Sequence, residues 1–195
     1  KIYKISINIG IYKIKNQKTN ILESLDKALS AHSRIKADNN IAYLIYDTKL
    51  ENEIENEQKI EDLMQQALEN EEFKIVYQPK ISLNNEKMIG AEALVRWYKG
   101  NKVIPTNEFI PIFEKNKFIL KLDKYIFASV CKDISKWKYN LNIKAIPIIS
   151  INVSKENFYD DSFIEDFVKI ANKYKINTKE IELEITERVS FSQEH

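Results

Sequence analysis

Residues 146–153 read IPIISINV, a run that is apolar at nearly every position of its first half. A strand with one face in water alternates apolar and polar residues, whereas an almost continuous apolar run is typical of a strand covered on both faces. Strands of this kind occur in parallel sheets that carry helices on their faces. The run therefore predicts an α/β fold.

The segments around this strand continue the alternation of strands and helices. Upstream, the expected elements are two strands and two helices, over residues 73–79, 88–97, 107–116 and 120–139. Pro79 is expected to end the first of these strands. Downstream, Asp161 and Ser162 are suited to begin a helix to about Tyr174, and residues 181–186 predict another strand. This order favours a parallel sheet, with a (β/α) TIM-type barrel as the leading candidate.

Residues 1–48 predict a smaller α+β unit. Isoleucines at positions 5, 7, 9 and 11 alternate with other residues, which predicts a strand with one apolar face. Residues 21–35 have helical spacing and residues 41–46 predict a second strand. A strand, a helix and a strand in so short a segment are too little to bury a core alone.

An acidic segment separates the two parts. Residues 1–50 carry a net charge of +5, residues 51–72 carry −8 and residues 73–195 carry +4. The segment has neither Pro nor Gly, so we expect a connector helix over residues 49–72. Its apolar residues are denser toward the end, which predicts that its second half docks on other elements. A solvated single helix and a signalling or coiled-coil helix both fit this pattern.

The composition excludes several classes of site. Three glycines leave no room for a Gly-rich phosphate loop, and two histidines with one cysteine exclude a disulfide framework and a Cys-rich zinc site. Any metal must therefore be bound by oxygen ligands. The net charge of +1 gives no basic field for DNA. No uncharged apolar run approaches the roughly 18–20 residues of a membrane helix, so we expect a cytoplasmic protein without a membrane segment.

Polar side chains share a face at the ends of three successive predicted strands. They are Glu92 with Arg96, then Ser150, Asn152 and Ser154, and then Glu182, Glu184 and Thr186. In parallel α/β folds, function gathers at the carboxyl edge of the sheet. Glutamate and asparagine oxygens suit Mg²⁺, Mn²⁺ or Ca²⁺. Solvation of a chain that leaves the core explains the same pattern, and composition and spacing leave the two readings balanced.

The same residues resemble a known family. Residues 92–97, Glu-Ala-Leu-Val-Arg-Trp, with Gln78-Pro79 before them, resemble the signature of EAL domains, the cyclic-di-GMP phosphodiesterases. Further similar motifs follow in the family's order, as Ile104-Pro105 with Phe109-Ile110-Pro111, Asn152-Val153-Ser154 and Glu184-Ile185-Thr186-Glu187. The resemblance covers residues 73–195 and implies an enzyme that hydrolyses one ester bond of cyclic-di-GMP to linear pGpG.

The resemblance also implies roles for single residues. Glu92, Asn152 and Glu184 would bind Mg²⁺ or Mn²⁺, with Glu92 counted as catalytic. Two metals about 3.5–4 Å apart would polarise the phosphoryl oxygen and lower the pKa of the attacking water. Glu187, the second catalytic residue, would hold an active-site loop. The substrate-binding residues would be Gln78, Leu94 and Arg96, of which the Arg96 guanidinium suits a phosphate.

Residues 1–48 resemble the C-terminal end of a GGDEF domain, which commonly precedes an EAL domain. The similarity lies in residues 6–10, Ser-Ile-Asn-Ile-Gly, and in the helix after them. The helix departs from the family at Ser30, which follows Ala28-Leu29 where an aromatic residue is usual. The resemblance thus implies a GGDEF–EAL tandem protein.

The chain also departs from the family after Glu187. The family's paired Asp and catalytic Lys do not follow in the printed sequence. We therefore expect a fragment with the first half of an EAL barrel, little or no turnover by this chain alone, and a homodimer through the EAL domain or the connector helix. An inactive cyclic-di-GMP receptor and a protein-interaction module are the alternatives. The paired Asp and the Lys downstream would favour the enzyme over the receptor.

Overall fold

The computed structural model describes residues 7–14, 20–35, 42–139, 141, 143 and 146–185. The chain divides into two compact units, Lys1–Lys59 and Ile60–His195. The boundary falls inside a helix, and each unit is described by itself.

The first unit contains strand β1 (Ile9–Tyr12), helix α1 (Ile21–Ser33) and strand β2 (Tyr43–Tyr46). The two strands pair in parallel, with Ile9 opposite Tyr43. Gly10 allows the close approach of β1 to α1, since a Cβ at this position would lie 2.1 Å from the carbonyl oxygen of Ala28. The predicted apolar face of the strand is not buried, because Ile9 and Ile11 are 51% and 37% exposed.

Helix α2 (Thr48–Glu69) corresponds to the predicted acidic connector. Within the first unit, Nη1 and Nη2 of Arg34 donate to the Glu57 carboxylate at 2.9 and 2.7 Å. The later apolar residues of α2 belong to the second unit, where Ile60 and Ala67 are buried in the core. The denser apolar spacing toward the helix end thus corresponds to real packing.

The second unit alternates strands and helices, as the α/β prediction requires. Its elements are β3 (Phe73–Ile81), β4 (Met88–Lys99), β5 (Lys102–Ile104), α3 (Thr106–Lys115), α4 (Ile119–Tyr139), β6 (Ile148–Val153), α5 (Phe163–Lys173) and β7 (Ile181–Ile185). Short 3₁₀ turns over Lys155–Tyr159 and Thr178–Glu180 precede α5 and β7. The sheet order is β3-β4-β6-β7, with β5 paired to β4. The predicted α/β class is confirmed.

Three details of the sheet differ from the predictions. β3 and β4 form an antiparallel pair, because the short turn between them cannot cross over, and only β4, β6 and β7 run parallel. Strand β3 continues past Pro79 to Ile81. A proline is tolerated there because β3 is at the edge of the sheet. The short strand β5 was not predicted.

Alternation gives the sheet one face under the helices and one polar face. Trp97 on β4 and Phe73 on β3 are buried with Phe109 and Phe113 of α3, and their ring centroids lie 5.1–6.1 Å apart. Trp97 Nε1 also donates to Glu72 at 2.9 Å. Because side chains alternate along a strand, Glu92 and the other even-numbered residues of β4 project from the face opposite to Trp97.

None of the helices in the described part of the chain is both long and apolar enough to cross a membrane.

Candidate active site

The polar face of the parallel strands brings the predicted donor residues together. In the β-ladder, Glu92 of β4 lies opposite Ser150 of β6, and Asn152 lies opposite Glu184 of β7. All three strands have an apolar residue on either side of these positions, and those apolar residues point to the opposite face. Period-two alternation in three neighbouring strands is therefore what places two carboxylates and one amide on a single surface.

Glu92 and Asn152 are in direct contact. The amide nitrogen Nδ2 of Asn152 donates to Oε1 of Glu92 at 2.6 Å, and both side chains are half-buried. This bond orients the amide, so the Asn152 oxygen Oδ1 is left as the atom able to bind a ligand. The arrangement presents one carboxylate and one carbonyl oxygen side by side.

Glu184 has a different partner, Lys80 on β3. The Lys80 ammonium donates to Glu184 Oε1 and to the hydroxyl of Ser150, the latter at 2.6 Å. Ser150 in turn donates to Glu182 Oε2 at 2.8 Å. The hydrogen bond from Lys80 holds the pKa of Glu184 below its usual value, and the same contact raises the pKa of Lys80. Both groups are therefore charged at neutral pH.

Lys80 was missed by the sequence analysis. The strand was predicted to end at Pro79, so Lys80 fell outside it. Continuing the alternation past Pro79 would have placed Lys80 on the same face as Gln78. That signal was available in the sequence, although an edge position was needed to allow it.

The remaining predicted residues lie around these donors. Gln78 is exposed and is paired with Glu92 in the β3–β4 ladder. Leu94 and Arg96 line a cleft of about 340 Å³ at the end of β4, together with Asn152. Arg96 Nη1 donates to the carbonyl of Val95 at 2.8 Å.

Glu187 lies outside the described residues, as does Thr186. The structure therefore places six of the predicted side chains, Gln78, Glu92, Leu94, Arg96, Asn152 and Glu184, and leaves Glu187 as a prediction from sequence.

The cleft has a buried carboxyl that the sequence analysis also missed. Asp123 of α4 is only 4% exposed and accepts hydrogen bonds from the Ser154 backbone N–H at 3.0 Å and from Asn157 Nδ2 at 2.6 Å. Burial raises its pKa from 3.8 to about 6, although the two hydrogen bonds act in the opposite direction. Asp123 thus holds the backbone at Ser154, directly after β6 ends at Val153.

The donor chemistry of this surface suits a hard divalent cation. Glu92, Asn152 and Glu184 offer oxygen atoms only, which are the ligands that Mg²⁺ and Mn²⁺ take in proteins. The Lys80 ammonium already lies against Glu184, which shows that this surface attracts a positive charge. Within the described ranges no three His, Cys, Asp or Glu side chains gather closely enough to hold a metal. The contribution of these residues is therefore two carboxylates and one amide.

The chain is similar in sequence to known proteins. A family model described as "EAL domain" matches residues 61–195. The signaling protein YkoW of Bacillus subtilis (strain 168) is 30% identical over 189 residues, which is 95% of this chain and 23% of YkoW. The cyclic di-GMP phosphodiesterase PA2567 of Pseudomonas aeruginosa is 36% identical over 129 residues, 65% of this chain and 21% of that protein.

Solved structures give the same result. The EAL enzyme Bd1971 in its cAMP and cyclic-di-GMP bound form matches with a TM-score of 0.62 and 30% identity, over 70% of this chain and 38% of that one. The chain thus spans about a quarter or less of the two curated relatives and well under half of the solved chain.

Proposed function

The chain belongs to the EAL domain family, and from this premise we propose that it is part of a longer parent protein that hydrolyses cyclic-di-GMP to linear pGpG. In this reaction a water oxygen bonds to one phosphorus, the P–O3′ bond breaks, and the departing oxygen takes up a proton. The observation that supports the proposal most is the alignment of Glu92, Asn152 and Glu184 on three neighbouring parallel strands. A cyclic-di-GMP phosphodiesterase among the similar proteins supports it further.

Each residue has a proposed task in this reaction. Glu92, Asn152 and Glu184 contribute oxygen ligands for Mg²⁺ or Mn²⁺. When bound, such ions polarise a phosphoryl oxygen and lower the pKa of water. Arg96, which lines the cleft, pairs with a phosphate of the dinucleotide, while Leu94 and Gln78 contact the rest of the substrate. Glu187 holds an active-site loop.

The finer architecture is proposed on the same basis. Residues 73–195 form the first half of a TIM-type EAL barrel, residues 49–72 the connector, and residues 1–48 the end of a GGDEF domain. The similarity to YkoW over 95% of the chain supports a common origin for the front part as well, since the EAL match begins only at residue 61. In this proposal the protein acts in the cytoplasm and has no DNA partner. It dimerises through the EAL domain or the connector.

A receptor that binds cyclic-di-GMP without cleaving it is the second candidate. The contact between Lys80 and Glu184 favours it, because the ammonium neutralises one of the proposed metal ligands. A module that only binds other proteins is the third reading, and it predicts no Mg²⁺-dependent nucleotide binding by calorimetry.

Hydrolysis by the parent protein tests the proposal. Loss of a residue that only supports a metal ligand typically costs 10- to 100-fold in metal affinity or activity, so Glu92→Ala should lower pGpG formation by about a hundredfold or more. Product formation is measured by chromatography with Mg²⁺ or Mn²⁺ present. Glu165→Ala is the matched control, because Glu165 is exposed and forms an ion pair with Lys169 one turn along its own helix.

The possible results separate the candidate functions. Wild-type turnover by the Glu92→Ala protein would refute the assignment of the site. Tight cyclic-di-GMP binding in calorimetry with no pGpG from the wild-type parent would establish the receptor instead.

A further inference from the structure

Lys80 lies opposite a glycine in the neighbouring strand. It lies at the end of β3, and its ladder partner in β4 is Gly90. A Cβ at Gly90 would lie 3.9 Å from Lys80 Cδ and 2.8 Å from the carbonyl oxygen of Ile148. A side chain at residue 90 would therefore reach only ordinary contact with the Lys80 stem, whereas its absence lets β4 and β6 approach closely.

The Lys80 side chain reaches across two strands to the far edge of the sheet. From β3 it passes β4, contacts Ser150 on β6 at 2.6 Å, and ends at Glu184 on β7. Ser150 links the ammonium to Glu182 as well. A single cation is therefore connected to carboxylates of β7 through one direct contact and one bridging hydroxyl.

This contact competes with the proposed role of Glu184. An ammonium and a divalent cation bind the same carboxylate oxygens, so Lys80 must move away from Glu184 when a metal takes that oxygen. Lys80 and Glu184 are each about a third exposed, at 36% and 34%, so the charges are only partly screened by solvent. The stem of Lys80 is flexible, and the ammonium can turn to water without moving the backbone.

We propose that Lys80 is a positioning residue that serves as an internal counter-cation: it orients and neutralises Glu184 when no metal is bound. Because a metal must displace Lys80 from Glu184, the presence of Lys80 lowers the affinity of the site for Mg²⁺ or Mn²⁺. The inference rests on the proposed function for the identity of the metal site. It goes beyond that function because a residue that binds neither metal nor substrate is assigned control over the metal affinity of the site.

Two substitutions of Lys80 separate charge from shape. Lys80→Met keeps the length and the apolar stem but removes the charge, and it should tighten binding of Mn²⁺ to the purified chain by about tenfold, since one like charge next to the cation is removed. Lys80→Arg keeps the charge and should bind Mn²⁺ within about twofold of the wild type.

A matched control lies on the same strand. Lys74 is exposed on the same face of β3, six residues away, and its removal deletes the same charge about 20 Å from Lys80. Lys74→Met should leave the affinity for Mn²⁺ unchanged. Glu184→Gln, in contrast, should abolish the gain when combined with Lys80→Met.

Mn²⁺ binding is measured by the loss of the electron paramagnetic resonance signal of the free ion, and circular dichroism verifies the fold of each variant. Lys80→Gln replaces the Met variant if the latter does not fold. An unchanged or weaker affinity after loss of the charge, or no detectable Mn²⁺ uptake by the neutral variant, would overturn the proposal. Since no nucleotide is present, failure of the parent to cleave cyclic-di-GMP would refute the proposed function and leave this measurement intact.

Discussion

At the scale of single residues, the candidate site contains one partly exposed and one buried carboxyl group, and their pKa values are shifted in opposite directions. Glu184 has its pKa lowered by Lys80, whereas Asp123 has its pKa raised by burial, with a smaller contribution from Glu114. The first group is charged because a cation accompanies it. The second is charged at neutral pH at a cost in folding free energy, which two hydrogen bonds only partly offset.

Asp123→Asn should change the pH dependence of stability. With a pKa of about 6 in the folded protein against 3.8, Asp123 holds a proton that the unfolded chain releases between these values. Its contribution to the free energy of unfolding is therefore greatest below about pH 4 and falls by about 3 kcal/mol as the pH rises to about 6 and above. Asparagine does not titrate, so the free energy of unfolding of the variant should rise by about that much relative to the wild type between pH 4 and pH 7.

Urea unfolding followed by tryptophan fluorescence at several pH values measures this difference. Asp161→Asn, which removes an exposed carboxyl two residues before α5, should follow the wild-type curve. Parallel curves for wild type and Asp123→Asn would show that Asp123 has an ordinary pKa in the folded protein.

At the scale of elements, a close approach of two backbones limits which residue types a position can accept. Helix α1 packs on β1 through Gly10, while the isoleucines of the same strand are largely exposed. The strand pattern alone predicted only that one face of the strand would be apolar. Which face of a short strand is covered depends on where the neighbouring helix lies, and the alternation of side chains does not encode that.

Gly10→Ala should destabilise the first unit more than Ile9→Ala does. The added methyl would lie 2.1 Å from the Ala28 carbonyl and 2.5 Å from the His32 nitrogen, so β1 or α1 must shift, at a cost of about 3 kcal/mol. Removing the half-exposed Ile9 side chain should cost about 1 kcal/mol or less.

Hydrogen–deuterium exchange of peptides from residues 7–35 reports this local stability. We expect exchange about a hundredfold faster in Gly10→Ala, if the unit opens as a whole, and a change of tenfold or less in Ile9→Ala. Faster exchange in Ile9→Ala than in Gly10→Ala would contradict the packing described.

At the scale of the whole molecule, the second unit separates stability from chemistry. One face of its sheet carries an aromatic cluster under α3 and the end of α2, and the other carries the candidate site. Trp97 and Glu92 belong to the same strand and serve opposite faces. Changes in the core should therefore lower stability without removing any of the donor groups.

Phe113→Ala should lower the free energy of unfolding of the second unit by about 3–5 kcal/mol, because Phe113 is fully buried and contacts four other aromatic rings. Tyr159→Ala, at a residue that is 81% exposed, should change it by less than about 0.5 kcal/mol. Chemical denaturation with fluorescence detection compares the two. Equal stability of the two variants would contradict the assignment of the core.

Local pattern was sufficient for much of the second unit. The strands β4, β6 and β7, the helices between them and the shared face of Glu92, Asn152 and Glu184 all follow from periodicity, because alternation along a strand is a property of the chain itself. The family motifs could be recognised for the same reason: each lies within a few consecutive residues. Roles such as those of Gln78, Arg96 and Glu187 remain predictions.

Tertiary structure alone decided the features that join distant residues. The antiparallel pairing of β3 with β4, the edge position that tolerates Pro79, the contact of Lys80 with Glu184 and the burial of Asp123 all depend on which elements become neighbours. Residues 80 and 184 are far apart in sequence, and no local periodicity relates them. Sequence determined which side chains each strand presents; packing determined which of them meet.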